Sequence, residues 1–142
     1  MSELYAVTSG DPAGIGPDIS LKIALREDSH QFVVFGNMDL LRERSEMHAM
    51  DIKFIEFDEA TSDSQIQKNT LLVKNFNLNQ SIQPGVMDSK NGSYTLSMID
   101  DAVKGCMDGR FTGCITGPVN KESIAKSGYK FSGHTEYIGK LC

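Results

Sequence analysis

Short apolar runs alternating with segments of helical period set the tightest limit on what this chain can become. Leu4 to Thr8 (LYAVT) is β-prone and stops at Ser9-Gly10-Asp11-Pro12, four turn-formers in succession. ISLKIALRE follows, with Ile19, Ile23 and Ala24 on one helical face and Pro17 where a first helical turn tolerates it. Gln31 to Phe35 (QFVVF) reads as a second strand. Asn37 is placed to cap a helix running to about Met47, in which Leu40, Leu41 and Arg44 continue the pattern. Ile52 to Phe57 (IKFIEF) alternates as a third strand. Strand, helix, strand, helix, strand is the order of a parallel sheet with helices on its faces, because parallel neighbours need crossover connections.

The rest of the chain extends the same plan. Asp58 to Asn69 is a polar connector, TLLVKNF a fourth strand, and Asn79 to Gly85 a second connector. Asp88 to Gly109 carries Leu96, Ile99, Val103, Cys106 and Met107 at helical spacing, a helix of about five turns that buries one face. Cys114 to Thr116 is a short strand stopped by Gly117-Pro118. Asn120, Lys121 and Glu122 open a helix to about Lys126-Ser127, with Gly128 at the position of a left-handed cap. Gly133-His134-Thr135-Glu136 then reads as a polar turn. The expectation is one partial α/β domain over residues 1–142, with no internal repeat.

Composition narrows the function. The net charge is −5 and the basic residues are scattered, which argues against a nucleic-acid surface but not against a local anion site. No apolar run has a membrane helix's length and no signal pattern opens the chain, so a soluble cytoplasmic protein is expected. Cys106, Cys114 and Cys142 form an odd set without C-x-x-C spacing, as reduced thiols do.

The loop SGDPAGIGPD invites comparison with nucleotide-binding loops, and spacing decides against both familiar kinds. It lacks the Gly-Lys-Ser/Thr ending of a phosphate-binding loop, and Gly14-x-Gly16 has no third glycine in place for G-x-G-x-x-G. Asp11 either caps a tight turn or faces a ligand. Asn120 and Lys121, just after the Gly-Pro turn, either meet a phosphate or carboxylate or lie on a solvated helix face. His30 and His48 read as solvated surface residues. His134 and Thr135 differ, because an imidazole and a hydroxyl side by side behind a glycine can orient a polar substrate. One histidine and one carboxylate fall short of a metal's usual three or four protein ligands.

Three blocks, TSGDPAGIGPD, ITGPVNKESI and FSGHTEYIGKLC, together resemble the 4-hydroxythreonine-4-phosphate dehydrogenases of pyridoxal phosphate biosynthesis. The resemblance covers essentially all of this chain but only the N-terminal part of the family's protein. It implies an isocitrate and isopropylmalate dehydrogenase-like α/β fold and a homodimer in the full-length form. It implies oxidation of 4-phosphooxy-threonine at C3 with NAD, or NADP in its place, and loss of CO₂ from the product. By the same resemblance His134 and Thr135 contact the phosphorylated substrate. A divalent metal (Zn, Mg or Co) is expected, with its ligands beyond residue 142 and none in this chain, so the short chain alone is expected to be inactive. The catalytic and cofactor-binding residues are left unassigned. Two alternatives stay open: a related dehydrogenase of a four-carbon sugar-acid 4-phosphate such as threonate or erythronate, and a non-catalytic fragment or binding module.

Overall fold

The computed structural model describes residues 3–58, 68–78 and 81–142. In chain order the elements are β1 (Tyr5–Thr8), α1 (Gly16–Leu21), β2 (Phe32–Gly36), α2 (Met38–Met47), β3 (Lys53–Glu56), β4 (Thr70–Asn75), α3 (Gly92–Met107), β5 (Gly113–Thr116), α4 (Lys121–Lys126) and α5 (His134–Leu141). All the strand pairings are parallel and the sheet order is β3-β4-β2-β1-β5. Tyr5 of β1 sits opposite Phe32 on one side and Gly113 on the other. The parallel α/β plan expected from the sequence is therefore the one observed. Most of the connector expected over 58–69, and the start of the one over 79–85, lie outside the described residues.

Both faces of the sheet are covered, which is why β2 and β4 read as continuous apolar runs rather than alternating ones. Ala6, Val33, Phe35 and Leu72 point to one side and pack with Tyr94, Met98 and Ala102 of α3 and with Phe111. Val7, Val34, Leu71 and Val73 point to the other, against Leu21, Ala24 and Leu41. The residue between each inward pair thus faces the opposite layer, as a two-residue period requires. A third cluster joins Leu96, Ile99 and Val103 of α3 to Ile124, Phe131, Tyr137 and Ile138. It is this cluster that fixes α4 and α5 to the body of the protein.

Asn37 caps α2 as its position implies, accepting from the Leu40 amide at 3.0 Å. Three expectations need correction. α1 stops at Leu21 and the four residues Lys22–Leu25 continue as a tighter 3-10 helix, so Leu21 and Ala24 face inward while Ile19 is 49% exposed. Met107, in the last turn of α3, is 62% exposed, because the inward stripe ends at Val103 and the partly buried Cys106. Residues 134–136 are the first turn of a helix rather than a polar turn. Tyr137 and Ile138 pack on the third cluster, and that burial carries the segment into helical form.

The three cysteines are free, and burial together with neighbouring Cys114 pushes the Cys106 thiol up to about 11. Among the described residues no helix is long and apolar enough to cross a membrane.

Candidate functional site

The chain leaves β1 toward β2 on one side and later returns as β5 on the other, so the strand order reverses between β1 and β5. Loops beyond the carboxyl ends of such a pair diverge and leave a crevice, where open α/β sheets place their ligands. A cleft of about 410 Å³ lies there. One wall is Asp11, Ala13, Gly14 and Ile15 after β1, and the facing wall is Pro118, Val119 and Asn120 after β5. Gly85 and Met87 close it from the connector, with the Gly85 amide donating to the Ala13 carbonyl at 2.7 Å.

The two loops are tied at their base. Asp11 donates its amide to the Pro118 carbonyl at 3.0 Å, and Gly117 donates to the Thr8 carbonyl at 2.8 Å. The approach is close enough to demand glycine at position 10: φ is +79° and a Cβ there would lie 2.1 Å from the Pro118 oxygen. Asp11 caps the turn after β1, its Oδ1 accepting from the Ala13 amide at 2.8 Å, and its place in the cleft wall leaves the ligand-facing role open to it. Burial raises its pKa, opposed by that hydrogen bond and by the charge of Arg44, and reinforced by Asp88.

Asn120 links the cleft to the second group of candidates. Its Oδ1 caps α4 by accepting from the Ser123 amide at 2.9 Å, while the residue forms the end of the cleft wall. Ser123 in turn donates to the Asp88 carbonyl at 2.7 Å, anchoring α4 to the turn before α3. Lys121, next in the chain, is exposed, and its Nζ lies 3.8 Å from where a Cβ on Gly133 would stand. Gly133 immediately precedes His134 at the start of α5.

The His134 ring packs edge-on against Phe131, with centroids 5.6 Å apart. Its Nε2 is buried and has no hydrogen-bond partner among the described residues. Burial first, and then the Lys121 charge, lower its pKa, so the imidazole is neutral near pH 7. Thr135 is exposed beside it. Asn120, Lys121 and His134 are thus gathered where α4 and α5 begin, and Asp11 lies across the cleft from Asn120.

Two features escaped the sequence reading. His48 is exposed, as expected, but its Nε2 also lies 2.7 Å from Asp18 Oδ1, a pairing the sequence does not signal. Arg44 is 2% exposed and donates to the carbonyls of Pro12 and, at 3.1 Å, Gly14, and to Asp18 Oδ2 at 2.8 Å. Its signal was present as an arginine on an apolar helical stripe. Among the described residues no three His, Cys, Asp or Glu side chains converge to hold a metal ion.

Comparison with known proteins gives this geometry a relation. The family described as "Pyridoxal phosphate biosynthetic protein PdxA" matches residues 28–142. The chain is 36% identical to a 4-hydroxythreonine-4-phosphate dehydrogenase of Vibrio vulnificus over 141 residues, covering 99% of this chain and 43% of that protein. It is 37% identical to one from Vibrio cholerae, covering 98% of this chain and 42% of that one. The crystal structure of 4-hydroxythreonine-4-phosphate dehydrogenase from Klebsiella pneumoniae superposes with a TM-score of 0.85 at 29% identity, over 99% of this chain and 44% of the other. The chain thus spans less than half the length of these relatives. From the extent of the family match, this chain belongs to the PdxA family of pyridoxal phosphate biosynthetic proteins.

Proposed function

We propose that this chain is the N-terminal portion of an NAD-dependent dehydrogenase acting on 4-phosphooxy-L-threonine. In this reading the C3 hydroxyl is oxidised to give 2-amino-3-oxo-4-phosphooxybutanoate, which loses CO₂ to yield 3-amino-2-oxopropyl phosphate. The enzyme is cytoplasmic and homodimeric, with the isocitrate and isopropylmalate dehydrogenase type of architecture. The names of the relatives support the reaction. The observation that carries the site is the buried, unpartnered Nε2 of a neutral His134. A buried polar atom left unpaired is costly, and a substrate hydroxyl or amine that pairs with it recovers that loss.

Around this atom the chain's own residues divide the work. His134 and Thr135 orient the substrate by hydrogen bonds, and the Lys121 ammonium meets its phosphate or carboxylate as a point charge. The apolar surfaces of Ala13, Ile15, Met87 and Val119 suit the flat rings of a nucleotide, and Asp11 and Asn120 supply polar contacts at the cleft's two sides. NAD, when bound, supplies the hydride acceptor. The described residues do not fit a metal, so no step here runs through one.

The test is to assay the complete product of the reading frame with NAD and each substrate, following NADH absorbance. The threonine phosphate is expected to give the highest kcat/KM. Preference for threonate or erythronate 4-phosphate would move the assignment to a sugar-acid dehydrogenase, and absence of NADH with all three would refute it.

A further inference from the structure

Arg44 is a buried cation that reaches from α2 into the loop after β1. Removing a guanidinium from water is expensive, and packing alone would be met as well by an apolar side chain of similar size. Its partners therefore state its purpose. Two of them, the carbonyls of Pro12 and Gly14, belong to irregular backbone on either side of Ala13, in the wall of the cleft. The third is Asp18 of α1, whose other oxygen lies 2.7 Å from His48 Nε2. The guanidinium reaches these acceptors from two separate nitrogens in one plane, a spread that a lysine's single ammonium cannot reproduce.

Apart from Arg44, the loop is held by the Gly85 amide, which donates to the Ala13 carbonyl at 2.7 Å, and by its own turn. Asp11 accepts from the amides of Ala13 at 2.8 Å and Gly14 at 3.0 Å, while Ile15 projects 64% exposed at the rim. We propose that Arg44 is a positioning residue for the nucleotide cofactor, fixing the Pro12–Ile15 wall of the cleft by gripping the Pro12 and Gly14 carbonyls from α2. The proposal rests on the reading of the cleft as the cofactor subsite. Wall shape governs how well a ligand is held before it reacts, so the effect falls on cofactor binding rather than on the chemical step.

The experiment is steady-state kinetics of the full-length enzyme with NAD varied at saturating substrate, beside thermal unfolding, for Arg44→Lys, Asp18→Asn and Ile15→Glu. Arg44→Lys is expected to raise KM for NAD about tenfold while kcat stays within about twofold, and Asp18→Asn to move it the same way by less. Should Arg44→Lys fail to fold, Asp18→Asn decides by the same readout. An unchanged KM for NAD in the folded Arg44 or Asp18 variant, while Ile15→Glu raises it, would overturn the role of Arg44 alone. An unchanged KM in Ile15→Glu as well would overturn the cleft reading and the role of Arg44 with it.

Discussion

Lys121 and His134 are electrostatically coupled across the start of α5: the ammonium adds to the effect of burial in holding the imidazole below its ordinary pKa. The coupling exists because Asn120 fixes where α4 begins, and α3 holds α4 and α5 side by side through Ile99, Ile124 and Tyr137. Local capping and a distant apolar cluster together set the charge state of a candidate substrate ligand.

A pH dependence of stability follows from that coupling. The unfolded chain takes up a proton on residue 134 near the ordinary histidine pKa of about 6.5, and the folded chain does so only at lower pH. Between those values the unfolded state binds more protons, so stability rises with pH through the window. The penalty is full below the folded pKa and absent above the unfolded one. In urea titrations at a series of pH values, the protein should lose more stability than His134→Gln as pH falls below about 6.5. Parallel pH profiles for the two proteins would contradict it.

The close approach of the two cleft loops predicts a large effect at one glycine and a small one at another. Gly10 combines φ of +79° with a Cβ position 2.1 Å from the Pro118 carbonyl, whereas Gly109 has φ of +87° and nothing within 4 Å. Gly109→Ala is expected to lose only the left-handed penalty, about 1 to 2 kcal/mol. Gly10→Ala adds a backbone collision and should lose more than about 3 kcal/mol, measured by denaturant midpoint. Equal losses would mean the loops separate easily.

Asn120→Ala removes the cap that the Ser123 amide uses and should destabilise the protein by about 1 kcal/mol. Asn120→Asp keeps the acceptor and should retain most of it. Thermal unfolding of the pair separates the cap from mere side-chain volume; equal losses would say the cap contributes nothing.

Much of this fold was legible because its signals are local. Asn37 precedes a helical pattern and caps it, Gly128 follows one and takes φ of +97°, and the apolar runs became strands. The sheet order was not legible, since periodicity reveals a strand but not its neighbour, and β1 lies between β2 and the last strand, β5. The helical start of α5 was missed because Tyr137 and Ile138 find their partners in α3, about forty residues earlier on a helix whose own face was already accounted for. Arg44 was seen within its stripe but not interpreted, because its acceptors are backbone carbonyls, which carry no sequence signal. Of the candidate site, Asp11, Asn120, Lys121, His134 and Thr135 were named from the sequence, while the wall formed by Gly85 and Met87 lay unmarked at and just past the end of a connector.

The most direct test of the account is the kinetics of His134→Ala and Thr135→Val in the full-length enzyme, each beside its melting temperature. If Nε2 is left unpaired in order to meet the substrate, His134→Ala removes a hydrogen bond to a charged ligand worth roughly 1.5 to 3 kcal/mol. That predicts a fall in kcat/KM of about ten- to a hundred-fold with little change in melting temperature. Thr135→Val, which keeps the shape and loses only the hydroxyl, should fall less in the same direction. A His134→Ala enzyme that melts many degrees lower yet keeps its kcat/KM would show that His134 only supports the packing of Phe131 and α5, contradicting the assignment.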